Sequence, residues 1–173
     1  GARTLPLLVL GGSQGARILS EVVPAAIASL PAAAQRRLGV VQQCRPEDVG
    51  AVRERYRNHD IPAELATYFE NMAERLSDAH LFIGRAGAST IAELTAVGRP
   101  AILVPLPIAT DDHQAANPRE IVEAGGARMI RQSSFTPKEL ARQIQVLSQR
   151  AGTLSTAAHK AWNCGRPDAV KDL

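Results

Sequence analysis

Three polar stretches of this chain have residue types and spacings suited to holding a phosphorylated ligand. The first is Gly11-Gly12-Ser13-Gln14-Gly15-Ala16, directly after an apolar run. Glycines let a backbone turn tightly and approach a ligand closely, and Ser13 offers a hydroxyl to a phosphate or sugar oxygen. The same residues suit a plain strand-to-helix turn with Ser13 as helix cap. The pattern is neither G-x-G-x-x-G nor a Walker loop, and no lysine lies near it. No acidic residue ends the second strand to take a ribose, which argues against a NAD site.

The second stretch is Leu81–Leu94, L-F-I-G-R-A-G-A-S-T-I-A-E-L. It reads as strand, bare turn and helix, so backbone N–H groups at a helix start are free to meet an anion. Gly87, Ser89 and Thr90 suit a phosphate cradle, and Glu93, in the first turn, suits a pair of ribose hydroxyls. Thr90-Ile91-Ala92-Glu93 also fits a capping box, in which Glu93 instead satisfies a backbone N–H. The third stretch, Asp111 to Asn117 (D-D-H-Q-A-A-N), follows a proline-rich loop. It carries His113, and Asp111 or Asp112 is an alternative helix cap. No Ser/His/Asp order, carboxylate pair or metal-ligand spacing points to a hydrolase or a metal site.

The elements that must position these stretches follow from periodicity. Strands are expected at 4–10, 39–43, 64–69, 80–84, 101–104 and 127–130. Helices are expected at 16–30, with Pro24 kinking the first and Pro31 closing it, then at 46–58, 71–77, 89–97, 112–124, from 136, and at 153–163. Thr136-Pro137-Lys138-Glu139 opens its helix with a hydroxyl cap and proline at the first position. Alternating strands and helices at this spacing mean βαβ units and an α/β, Rossmann-like, doubly wound parallel sheet. Such sheets bind ligands at the carboxyl ends of their strands, where all three stretches fall.

Composition narrows the classes. At 173 residues the chain suits one domain, with 45% apolar and 21% charged residues. Aromatics at 3% leave little for base-stacking nucleic-acid platforms. The net charge of +3 favours an anionic ligand or membrane surface. Arg53, Arg55 and Arg57 read as a solvated helix face. Two isolated cysteines indicate a reducing compartment rather than a disulfide framework. No run is apolar and long enough to span a membrane, and no signal peptide is visible. Both ends look like cuts in a longer protein.

Taken in order, G-G-S-Q-G-A, F-E-N-M-A, G-R-A-G-A-S-T-I-A-E-L, G-R-P-A-I-L-V-P-L-P and D-D-H-Q-A-A-N resemble the carboxyl-terminal half of the MurG family. These are the bacterial UDP-N-acetylglucosamine (UDP-GlcNAc) transferases of peptidoglycan synthesis. The resemblance is strong from Leu5 to about Ala127 and looser beyond. It implies a GT-B glycosyltransferase of two Rossmann-like domains, in which residues 1–173 form the donor-binding domain and the amino-terminal acceptor domain is absent. The implied reaction moves GlcNAc to lipid I to make lipid II, inverting the anomeric centre, with no cofactor and no metal. Ser13 and its loop, with Gly12, Gln14 and Gly15, would face the diphosphate, as would Gly87, Ala88, Ser89 and Thr90. Phe69 would meet the uracil through its backbone, Glu93 the ribose, and His113 and Gln114 the GlcNAc hydroxyls, with Asn117 supporting the loop. The general base would lie in the absent half. The implied location is cytoplasmic, peripheral on the inner membrane face through an anionic membrane surface, with no nucleic-acid partner.

One departure stands out. Where the family has His-Gln and then glycine, this chain has Gln42-Gln43-Cys44-Arg45. The resemblance implies that these residues alone bind donor and transfer nothing. The alternatives are another GT-B UDP-sugar glycolipid synthase and a non-catalytic nucleotide-sugar-binding subunit of a two-chain GlcNAc transferase, as in the dolichol pathway.

Overall fold

The computed structural model describes residues 4–11, 16–106, 112–150 and 152–164; of residues 16 and 112–117 it describes the backbone alone. Six strands, β1 (Leu5–Leu10), β2 (Leu38–Gln43), β3 (Ala63–Ala66), β4 (Leu81–Gly84), β5 (Ala101–Leu103) and β6 (Ala127–Met129), form one sheet in the order β3-β2-β1-β4-β5-β6. Every pairing is parallel. All carboxyl ends therefore share one edge, and the order reverses between β1 and β4. That is the doubly wound arrangement expected, with its switch point at the β1/β4 crevice.

Successive strand residues point to opposite faces, and both faces are buried. Leu7, Val9, Leu81, Ile83 and Ile102 join one cluster with Leu19, Tyr56 and Leu140. Leu8, Phe82 and Leu103 join a second with Leu76, Leu94, Ile121 and Ala161. Helices α1 (Ala16–Ala28), α3 (Pro46–Asn58) and α7 (Pro137–Ser148) cover the first face. Helices α4 (Met72–Asp78), α5 (Ala88–Val97), α6 (Asp112–Ala124) and α8 (Thr153–Cys164) cover the second.

Two expectations need correcting. α1 ends at Ala28, short of Pro31, and Pro31 instead caps the start of a short helix, α2 (Ala32–Arg37). None of its residues is buried, so it has no apolar periodicity to read. Its Gln35 side-chain amide donates to the carbonyls of Ile27, Ala28 and Leu30 at 3.1, 3.0 and 3.0 Å, satisfying the acceptors exposed where α1 stops. Strand β3 ends at Ala66, so Thr67 to Phe69 belong to the loop before α4. As an edge strand it pairs only with β2, and its last bond runs from the Cys44 N–H to the Ala66 carbonyl at 2.9 Å.

Pro24 lies inside α1 without ending it. A proline lacks the N–H that would bond the carbonyl four residues back, here that of Ser20. Arg55 from α3 donates to that carbonyl at 2.8 Å. Thr136 caps α7 as expected, its hydroxyl accepting from the Glu139 N–H at 3.2 Å.

Candidate functional site

The carboxyl edge is built around the β1/β4 crevice. Leu10 and Gly84 are register partners at the ends of these strands. A Cβ on Gly84 would collide with the Leu10 carbonyl oxygen and lie 2.7 Å from the Phe82 ring, so only glycine lets the strand ends close up here. Gly11, buried, continues from β1. Gly12, Ser13, Gln14 and Gly15 lie outside the described residues.

From Gly84 the chain needs only Arg85, Ala86 and Gly87 to enter α5. The helix cap is Gly87, in extended conformation (φ −81°, ψ 157°), with no side-chain cap hydrogen bond. The first helical bond runs from the Ile91 N–H to the Gly87 oxygen at 3.0 Å. The N–H groups of Ala88, Ser89 and Thr90 therefore have no acceptor within the helix. Thr90 lies inside α5, not at its cap, so the capping box with Glu93 does not form. The short loop is the cause: it delivers the chain into helix three residues before a threonine cap would.

Glu93 consequently sits in the second turn rather than the first. Ile91 and Leu94 face the core, whereas Ala88, Ser89 and Glu93 are exposed, with Thr90 half-buried. Ser89 and Glu93, four residues apart, share one exposed stripe, which places the carboxylate about 6 Å along the axis from the serine. Arg85 is half-buried, and its guanidinium donates to the carbonyls of Val104 and Pro105 at 3.2 and 3.4 Å. It ties the α5 entry loop to the segment leaving β5, and burial lowers its pKa.

At the far end of the same edge, the loop after β3 carries Phe69, buried to 6% exposure. The Arg75 guanidinium stacks 5.1 Å from the Phe69 ring centroid. Arg75 also grips Glu64 with both terminal nitrogens, at 2.9 and 2.5 Å, and reaches the Asn71 side-chain oxygen at 3.4 Å. The hydrogen bonds from Arg75 hold the Glu64 carboxyl below the usual carboxylate range. This clamp fixes both ends of the Phe69 loop. Beside it Tyr68 is 72% exposed, a planar ring standing in solvent on the carboxyl edge. Neither Arg75 nor Tyr68 was singled out above; an aromatic next to Phe69 in a chain so poor in aromatics is the signal that was available.

His113, Gln114 and Asn117 fall on α6, which packs beside α5, but their side chains lie outside the described residues. Gln42 is on β2 and fully buried. Its side-chain oxygen accepts from the Tyr56 hydroxyl at 2.5 Å and its amide donates to the Leu19 carbonyl at 3.4 Å. The departure at this position is therefore turned into the core under α1 and α3, away from the edge. Burial raises the Tyr56 pKa, keeping the phenol protonated as donor. Among the described residues no group of three or more His, Cys, Asp or Glu is placed to hold a metal ion.

The chain is similar to known proteins in both sequence and fold. Residues 6–173 match the glycosyltransferase family 28 C-terminal domain. The chain belongs to that family. It is 75% identical over 169 residues to the UDP-N-acetylglucosamine--N-acetylmuramyl-(pentapeptide) pyrophosphoryl-undecaprenol N-acetylglucosamine transferase of Erythrobacter litoralis, covering 98% of this chain and 42% of that protein. The protein of the same name from Novosphingobium aromaticivorans is 74% identical, with 96% and 43% covered. The chain thus spans less than half the length of these relatives. Among solved structures, MurG of Acinetobacter baumannii superposes with a TM-score of 0.83 at 34% identity, over 97% of this chain and 50% of that one. The C-terminal CMP-Kdo binding domain of WaaA from the same organism shares the fold, with a TM-score of 0.65 at 10% identity, over 95% of this chain and 90% of that one. The family-28 assignment and the MurG superposition bear out the resemblance and identify the fold as the carboxyl-terminal half of a GT-B transferase.

Proposed function

We propose that this chain is the donor-binding part of an inverting glycosyltransferase that moves GlcNAc from UDP-GlcNAc to a lipid-linked muramyl-pentapeptide acceptor. The observation that carries the reading is the uncapped start of α5 beside the β1/β4 crevice, in a chain three-quarters identical to transferases named for that reaction. In the proposed step an acceptor hydroxyl oxygen attacks the sugar's anomeric carbon. The bond from that carbon to the diphosphate breaks, UDP leaves with the electron pair, and the hydroxyl proton passes to a base outside these residues.

Charge grows on the diphosphate as the bond breaks. N–H groups of Ala88, Ser89 and Thr90, fixed at the positive end of a helix dipole, are preorganised to receive it, so the reading assigns that role to backbone and not to a metal. Gly12, Ser13, Gln14 and Gly15, from the neighbouring strand end, would face the same diphosphate, with Gly87 giving it room. Glu93 would take the ribose hydroxyls, Phe69 and the exposed Tyr68 the uracil, and His113 and Gln114 the sugar, with Asn117 steadying them. The acceptor and its base would be supplied by a region beyond these residues, and the working site would be the cytoplasmic face of the membrane. No helix among the described residues is long and apolar enough to cross a membrane.

Calorimetry tests the reading. This chain should bind UDP-GlcNAc, bind UDP-glucose and UDP-galactose more weakly, and show no heat with NAD. Equal binding of all three UDP-sugars would move the reading to another UDP-sugar transferase, and no binding of any would remove it.

A further inference from the structure

The geometry points to a second anion site, shaped for a phosphate-bearing ligand, at the amino-terminal edge of the sheet. A cavity of about 600 Å³ opens there between the starts of β5 and β6, the α6–β6 turn and the first turn of α8. Ala101 and Ala127, the first residues of β5 and β6, line it, so it lies at the opposite edge from the carboxyl-edge loops. Arg128, Arg150 and Lys160 also line it, and no carboxylate among the described residues does. Arg128 holds the Gln143 side-chain oxygen at 3.1 Å, and none of the three cations has an ion-pair partner among the described residues.

The backbone around the cavity is shaped to bring these charges together. Gly125 has φ +90°, and a Cβ there would meet Lys160 Cδ at 2.8 Å and Nζ at 3.2 Å. A Cβ on Gly126 would lie 2.8 Å from both the N and Cα of Ala161. The glycine pair thus lets α8 rest on the turn at backbone contact and lets the lysine fold across it. On the far wall Gly152, at φ +95°, starts α8, with the Thr156 N–H bonding its carbonyl at 2.8 Å. The N–H groups of Leu154 and Ser155 precede that first bond, and the hydroxyl residues Thr153 and Thr156 line the cavity. Three like charges facing one concavity repel one another, and a bound anion relieves that repulsion. Two of them are arginines, whose forked donors match phosphate oxygens. The volume lies in the range of small-molecule sites and exceeds that of one phosphate, which favours a ligand with more than one phosphoryl group or a phosphate carrying a further moiety.

The test is an NMR titration of this chain with pyrophosphate, following backbone amides. Shifts are expected at Gly125, Gly126 and Leu154–Thr156, separately from any at Ala88–Thr90. The double variant Arg150→Glu, Lys160→Glu changes two exposed side chains and should weaken the first set about tenfold or more while leaving the second in place. The milder Lys160→Gln should weaken it in the same direction. Sedimentation with phosphatidylglycerol and with phosphatidylcholine vesicles separates the sources. Binding to the anionic vesicles alone, lost in the double variant and competed by pyrophosphate, assigns a lipid headgroup; pyrophosphate shifts without vesicle binding assign a soluble phosphate compound. Absence of shifts at the Gly125 turn and α8 start, or shifts that survive the double variant unchanged, would overturn the site. Because donor binding is read at Ala88–Thr90, failure here is distinguishable from failure of the donor assignment.

Discussion

The Arg55 guanidinium lies 2.8 Å from the Ser20 carbonyl oxygen, the acceptor that Pro24 leaves without a helical donor. A proline inside a helix removes one backbone bond. Here a side chain from the neighbouring helix supplies the missing donor and fastens α1 to α3. Arg55→Ala should therefore destabilise the chain by about 1 kcal/mol. In a Pro24→Ala background the backbone N–H returns, and the same Arg55→Ala change should cost measurably less. A double-mutant cycle by urea denaturation reads this directly; equal costs in both backgrounds would detach Arg55 from the proline.

Gly84 closes the switch point. Gly84→Ala must push the Leu10 carbonyl and the Phe82 ring apart, and should lower stability by about 2 kcal/mol or more. The strain falls where β1 and β4 hand over to their loops, so UDP binding should weaken too, even at temperatures where the variant is fully folded. Thermal melts and calorimetry on the same sample separate the two effects.

The Arg75 clamp predicts the opposite balance. Arg75→Ala removes an exposed ion pair, of modest worth to stability, but frees the loop carrying Phe69 and Tyr68. The melting temperature should move little while UDP affinity falls several-fold. An unchanged affinity would detach this loop from nucleotide binding.

Acid should act on α7 through Glu139, whose hydrogen bonds from Arg142 and Gln143 lower its pKa from 4.5 to about 2. A carboxyl with a lowered folded pKa stabilises the fold fully above 4.5, and that contribution is lost as the pH falls through about 2. Wild-type and Glu139→Gln melting temperatures should differ at neutral pH, converge between these values and coincide below them. The pair is exposed, so the difference should also shrink with added salt.

Much of this was legible before any coordinates. The alternation of buried runs and helical periods placed all six strands and every long helix, because a parallel sheet demands apolar strands and its helices bury one stripe each. What escaped was what lacks periodicity. Helix α2 buries nothing, so no stripe marks it. The role of Glu93 at the start of α5 stays open in the sequence because Thr90-Ile91-Ala92-Glu93 also satisfies the capping-box pattern, while the length of the turn after β4, which decides the cap, is a tertiary fact. Arg55 looked like one member of a solvated row. Its role depends on which helix lies across from Pro24, and no local pattern carries that.

Glu93, exposed in the second turn of α5, is the residue proposed to take the ribose. Calorimetry of UDP against this chain and against Glu93→Ala tests that role most directly. Loss of hydrogen bonds to a carboxylate should weaken UDP roughly ten- to hundred-fold. The same substitution should cost much less against 2′-deoxy-UDP, which has one hydroxyl fewer to hold. An equal loss for both nucleotides, or no loss for UDP, would contradict the assignment of this edge as the nucleotide site.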